Sequence, residues 1–259
     1  FVELRTNNGD DRRKAHDIFP AISIPDIFME RLLAREHFTL FDPHEVERVM
    51  GFALEDFYDS DDKKEFTKHY LMCEQSPDLH GIEVAALDMM KKIMRSAVET
   101  GTPFIFFRDT VNRMNPNKHA GMIYASNLCH EIAQNVGFSK QGSETIHPDG
   151  SITTTTITGD MVTCNLNSIN LGKITDEELE ENIRLQIRML DNVISINQFP
   201  VSEARVTSEK YRAIGLGTSG YHHYLVRHNL TWESDAHIEA ADKLFEDIAY
   251  YAIKASMEL

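Results

Sequence analysis

The stretch Ser126-Asn127-Leu128-Cys129-His130-Glu131-Ile132 sets an amide, a thiol and a carboxylate at every second position. In an extended backbone this alternation puts Asn127, Cys129 and Glu131 on one side and Leu128, His130 and Ile132 on the other. A helix would place Cys129 nearly opposite the other two. A flat strand would hold Asn127 and Glu131 roughly 13 Å apart, too far for both to reach one small substrate. A catalytic version of the segment is therefore a bent loop. The same spacing also fits an edge strand with a buried cysteine and two solvated polar neighbours.

Other residue groups invite chemistry and are weaker. Gly215-Leu216-Gly217-Thr218-Ser219-Gly220 matches the GxGxxG turn of dinucleotide folds. That fingerprint wants a strand ending in an acidic residue roughly 20 positions on, where this chain has Trp232-Glu233-Ser234-Asp235, which reads as a loop and helix start. The glycines fit close strand-to-helix packing better. Of the twelve histidines, His222 and His223 are adjacent and point apart on a helix. Helical di-iron sites need paired Glu-x-x-His motifs, and the one match, Glu144 to His147, falls in a predicted loop. Cys129-His130 fails as a protease dyad because neighbours in an extended segment face opposite ways. Cys73 has no alternating partners.

Composition narrows the classes. The 259 residues carry 26 basic against 41 acidic side chains, a net charge of −15, which disfavours a nucleic-acid footprint. Three cysteines are too few for a disulfide scaffold and suit a reducing, cytoplasmic compartment. No apolar run reaches membrane-spanning length.

These residues must be held by alternating strands and helices, which argues for an α/β architecture. Residues 17–24 read as a buried strand. Pro25-Asp26 opens a helix to about Ala34, and Asp42-Pro43 repeats that start signal. An acidic helix is predicted over 55–73 and a Met-rich one over 82–99, with Ala85, Met89, Ile93 and Ala97 on one face and a stop at Gly101. A strand follows over 102–107, a turn-rich approach over 112–118, and a loop over 135–150. Thr-rich residues 152–158 are β-prone and suit a hairpin before a strand bearing Cys164. Thr175-Asp176-Glu177-Glu178 reads as a capping box for a helix to about Ser195. Ser234 or Asp235 caps a last helix whose apolar stripe, Leu244, Ile248, Ala255 and Leu259, runs on without a stop signal. The opening at Phe1 and this uninterrupted helix predict a piece of a longer protein, a single incomplete domain over 1–259.

The finger-like Ser-Asn-Leu-Cys-His-Glu-Ile segment stands in order with several other blocks. These are Leu40-Phe41-Asp42-Pro43-His44-Glu45-Val46, Thr100-Gly101-Thr102-Pro103-Phe104-Ile105-Phe106, Met161-Val162-Thr163-Cys164-Asn165-Leu166-Asn167-Ser168-Ile169-Asn170-Leu171-Gly172, Gly215-Leu216-Gly217, and Tyr250-Tyr251-Ala252-Ile253-Lys254-Ala255-Ser256-Met257-Glu258-Leu259. The ordered set resembles the catalytic large subunit of class I ribonucleotide reductase and covers nearly the whole chain. The resemblance implies part of a ten-stranded α/β barrel, helix-rich, with a finger loop through its centre. It implies a thiyl radical on Cys129, a general base in Glu131, an orienting amide in Asn127, and in Cys164 one thiol of a reducing pair whose partner lies before residue 1.

The same resemblance implies a ribonucleoside diphosphate substrate and a homodimer in the full enzyme. No cofactor would be bound by this chain. The radical would come from a separate metal-containing small subunit, and thioredoxin or glutaredoxin would serve as reductant. Allosteric, phosphate-binding, radical-relay and C-terminal cysteine parts of the family are missing here, so the isolated chain is expected to be inactive. One departure is the long insertion at 137–159, and another is His130, where the family more usually has an apolar residue. Two other classes are weighed beside this one: a non-catalytic binding or assembly module, and an NAD(P) oxidoreductase using Gly215, Gly217 and Gly220.

Overall fold

The computed structural model describes all residues 1–259 as mixed α/β, in two compact units, 1–136 and 137–259. Its strands form four separate two-stranded sheets, and no closed barrel is present within this chain. No helix is long and apolar enough to cross a membrane.

In the first unit, β1 (Ala21–Ile24) runs parallel to β4 (Phe104–Phe107), with Ala21 opposite Phe104 and Ile24 opposite Phe107. Each strand passes directly into a helix, α1 (Asp26–Ala34) and α5 (Arg108–Met114). The side chain of Asp109 locks the two starts together. It is wholly buried and accepts the Asp26 N–H at 2.6 Å and the Asp59 N–H at 2.8 Å. Burial pushes its carboxyl up, against the two N–H groups that favour the charged form.

The second sheet of this unit pairs β2 (His37–Phe41) antiparallel with β3 (Gly81–Ala85). Asp42 caps α2 (Pro43–Met50) as predicted, accepting the N–H groups of His44 and Glu45 at 2.9 and 3.2 Å, with Pro43 in the first turn. Phe28, Phe38, Phe66 and Tyr70 stack into the core of this region. Beside it, Arg31 bonds Glu74 at 2.6 Å. Burial alone would raise the Glu74 carboxyl, but the hydrogen bonds from Arg31 and Thr39 outweigh it and hold the group below its ordinary range.

Several boundaries differ from the sequence reading. The helix predicted over 55–73 is only α3 (Glu65–Gln75), preceded by a single 3-10 turn at Leu54–Asp56. The buried Asp59 accepts both the N–H and the hydroxyl of Thr67, and Lys64 turns left-handed at φ 45°, so the chain reverses before the helix starts. Residues 82–85 pair with β2 as β3 rather than opening α4 (Ala86–Thr100). The α4 face that packs holds Ala86, Met89, Met90 and Ile93, and Gly101 ends it at φ 74°. The approach over 112–118 begins inside α5.

In the second unit, the predicted loop over 135–150 instead contains β5 (Lys140–Ile146), paired antiparallel with β6 (Ile152–Ile157). Every residue of both strands is exposed. Asp160 closes the base of this hairpin, accepting the Gly137 N–H at 2.7 Å, the Tyr211 hydroxyl at 3.0 Å and the Lys210 ammonium at 3.2 Å. β7 (Leu166–Asn170) runs parallel to β8 (Gly215–Ser219). Ile183 and Ile187 of α6 (Leu179–Ile196) pack with Leu244, Ile248 and Ala255 of α9 (Asp235–Glu258). Full burial of one such large side chain contributes about 1.5–3 kcal/mol. Glu178 accepts the Thr175 N–H at 2.8 Å, but the reciprocal side-chain bond of a capping box is not made, and Glu178 itself stands at the N-cap of α6 without a side-chain cap. Ser234 caps α9, while Leu259 at the end of the predicted stripe is half exposed.

Candidate active site

The segment around Cys129 is a bent loop with no regular secondary structure, which excludes the edge-strand reading. Its base is held by three buried asparagines. Asn112 of α5 gives its amide N–H to the Ile123 carbonyl at 2.9 Å and takes the Ile123 N–H at 2.8 Å. Asn115 donates to the Asn135 side chain at 3.0 Å, and Asn135 donates to the carbonyls of Asn117 and Gly121 at 2.7 and 3.0 Å. The returning limb crosses the outgoing one where the Val136 N–H meets the Met122 carbonyl. Buried side-chain amides thus replace the strand partners that this irregular backbone lacks.

Above this base, Tyr124 donates its hydroxyl to Asp56 at 3.0 Å. Burial, together with the Asp56 carboxylate, pushes the phenol up to about 12. At the tip the His130 N–H meets the Asn127 carbonyl at 3.2 Å, a tight turn across Leu128 and Cys129. His130 follows at φ 66°. The loop is then clasped, because Asn127 Oδ1 accepts the Ile132 N–H at 3.0 Å and Ser126 donates to the Ile132 carbonyl at 2.5 Å.

The predicted trio is brought into this one turn. Cys129 and Glu131 are exposed, and Asn127 is half-buried with its carbonyl oxygen committed to the clasp. His130 points the other way, its ring 5.0 Å from that of Phe104 and 6.0 Å from that of Phe106 on β4.

Cys164 belongs to the second unit and is not on a strand as expected. It lies two residues before β7, since pairing with β8 starts only where the Gly215 N–H meets the Asn165 carbonyl. Before that point the chain hangs on helices. The Met161 N–H donates to Thr207 at 2.8 Å, the Thr163 hydroxyl meets that of Ser208 at 2.9 Å, and Asn165 donates to the Leu190 carbonyl at 2.7 Å. Thr207 and Ser208 lie on α7 (Ser202–Tyr211). With 163 and 165 turned toward helices, alternation turns Cys164 outward, and it is exposed.

The competing groups dissolve. Residues 215–219 are strand β8, not a phosphate-cradling turn. Gly220 takes φ 68°, and a Cβ there would sit 2.3 Å from the Asn170 side-chain oxygen, so the glycine serves the close passage into α8 (Tyr221–Arg227). His222 and His223 are exposed on α8, and no three His, Cys, Asp or Glu side chains converge to hold a metal. Cys73 is buried in α3, where burial raises its thiol.

The family model for the ribonucleotide reductase barrel domain matches residues 1–259. The chain belongs to the ribonucleotide reductase barrel-domain family. Relatives include a ribonucleoside-diphosphate reductase subunit alpha of Treponema pallidum, 46% identical over all of this chain and 31% of the relative. One from Helicobacter pylori is 38% identical over all of this chain and 36% of the relative. A large subunit from Plasmodium falciparum is 31% identical over all of this chain and 29% of its own length. The barrel-domain chain thus spans about a third of the length of the curated relatives it matches.

The groups that hold the Cys129 loop were not legible in the sequence. Asn112, Asn115, Asn135 and Ser126 gave only a weak signal, an excess of asparagine and serine around an irregular segment. His130 was assigned no task.

Proposed function

We propose that this chain supplies the radical-bearing part of a ribonucleoside-diphosphate reductase large subunit, converting ribonucleotides to deoxyribonucleotides. The observation that carries this reading is the clasped turn at 126–132, which sets Cys129 at an exposed tip two residues from Asn127 and from Glu131. A cysteine thiyl radical removes the 3′ hydrogen atom of the ribose, because S–H and activated C–H bonds are close in strength. Glu131 takes the 3′-hydroxyl proton, a transfer its exposed carboxylate is able to make. Asn127 orients the ribose hydroxyls through its side-chain amide.

The 2′ oxygen leaves as water. The two electrons come from a dithiol, of which Cys164 is one member, and the pair ends as a disulfide. Its partner thiol is neither Cys73, enclosed in α3, nor Cys129, which carries the radical and regains its hydrogen at the end of the cycle. A separate metal-containing small subunit supplies the radical, and thioredoxin or glutaredoxin restores the dithiol. We place the protein in the reducing cytoplasm, as part of a homodimer. Exposed thiols at 129 and 164 suit that compartment.

The test uses the complete large subunit that carries these residues, assayed with its small subunit and a ribonucleoside diphosphate. Cys129→Ser and Glu131→Gln are expected to abolish or nearly abolish deoxyribonucleotide formation. Cys164→Ser is expected to remove turnover while still permitting 3′ hydrogen exchange. Full activity of Cys129→Ser would overturn the reading. The isolated chain 1–259 is expected to give no turnover with dithiothreitol and a competent small subunit.

A further inference from the structure

We infer that His130 is the positioning residue that aims Cys129, acting through its backbone conformation and through its ring. The inference rests on the reductase reading for its catalytic consequence, but its structural content stands alone.

Two observations meet at this residue. His130 adopts φ 66°, a left-handed conformation that is strained for most side chains and that His, Asn and Asp occupy more readily than others. A turn closed by the His130 N–H and followed at once by a left-handed residue reverses the chain sharply. This reversal brings the Ile132 N–H back onto Asn127 at 3.0 Å. The backbone of residue 130 therefore decides whether the clasp can form.

The ring then fixes where the turn stands. It lies 5.0 Å from Phe104 and 6.0 Å from Phe106, the latter buried, and Phe104 and Phe106 are alternate residues of β4. The contacts of the imidazole with the strand are ring packing. Leu128, before Cys129, is 60% exposed. At the tip the ring of His130 ties the residue next to Cys129 to strand β4. The base asparagines are several residues away and cannot set the direction of the thiol. A loop held only at its base would let Cys129 sweep a range of positions. Radical transfer to a ribose carbon tolerates little of that.

The experiment combines a structural and a kinetic readout. In chain 1–259, hydrogen exchange of the His130 and Ile132 amides reports the turn and the clasp. His130→Ala, which lacks both the ring and the left-handed preference, is expected to speed exchange at both amides about tenfold or more. His130→Phe restores the ring, and His130→Asn restores the backbone preference, so each is expected to recover part of the protection.

In the complete enzyme, His130→Ala should lower kcat about tenfold with KM within about twofold, and His130→Phe should regain most of kcat. Unchanged amide exchange in His130→Ala would overturn the inference, as would a loss of KM and kcat together that Phe does not rescue. If the parent enzyme shows no reductase activity at all, the proposed function fails, while the exchange result still decides the role of His130.

Discussion

Asn112 and Ile123 exchange two hydrogen bonds, at 2.9 and 2.8 Å, so one buried side-chain amide does for Ile123 what a neighbouring strand would do. Ile123 is itself buried, and both of its backbone groups depend on that single side chain. Asn112→Ala should therefore destabilise the first unit by about 2 kcal/mol, since two buried polar groups lose their partners. Asn112→Asp keeps the acceptor and should cost less. Urea unfolding measures both, and a change under about 0.5 kcal/mol for the alanine variant would mean that another group takes over.

Asp109 gives a prediction that runs against simple charge counting. Its carboxyl is raised by burial, so replacing it with a neutral amide looks favourable. Yet both oxygens are occupied by N–H donors, from Asp26 and Asp59. In Asp109→Asn one of them would face an NH2 group. The variant should be less stable by about 1–3 kcal/mol at neutral pH. Because the folded value lies above the unfolded one, this group's own contribution to stability grows as pH falls through the folded value toward 3.8, and Asp109→Asn should lose that part of the pH dependence. Thermal unfolding at several pH values reads both effects.

The Arg31–Glu74 pair has the opposite sign. Glu74 is held below its ordinary 4.5, so its contribution is present above pH 4.5 and is lost as pH falls through the lowered folded value. Glu74→Gln should remove this part of the acid sensitivity. At neutral pH the cost should be about 1 kcal/mol, because water still reaches the pair's outer edge. An acid-unfolding curve unchanged by Glu74→Gln would contradict the assignment.

Every residue of β5 and β6 is exposed. Excising 139–158 and joining the remaining ends through a short glycine linker should leave the melting temperature of the chain within about 2 °C, since no buried apolar surface is lost. Asp160→Ala, by contrast, should loosen the hairpin base and increase proteolytic nicking within 137–159, because three donors lose their shared acceptor.

Local signals carried most of the elements. Asp42-Pro43, Gly101, Ser234 and the α6 stripe act through contacts within a few residues, and each stands where its residues imply. The errors share a cause in long-range partners. Residues 82–85 became strand because β2 lies beside them, and 59–64 left the helix because Asp59 found Thr67 and Asp109 found the Asp59 N–H. In the site, period-two spacing grouped Asn127, Cys129 and Glu131 but fitted an edge strand equally, and the family resemblance singled them out. The knot of Asn112, Asn115 and Asn135 depends on contacts up to 20 residues apart, and nothing in the spacing of asparagines announces it.

The tethering of the Thr163 and Asn165 side chains to helices makes the orientation of Cys164 a matter of parity. Adding or removing one residue between Met161 and Leu166 would exchange thiol and amide, leaving a helix facing sulfur and solvent facing an asparagine. Length can vary safely only where the count is not being kept. The stretch between Gly137 and Asp160 is such a place: its two ends are stitched directly together, and numbering starts afresh at Asp160 however many residues are spooled out in between. An insertion there is invisible to the cysteine four residues later.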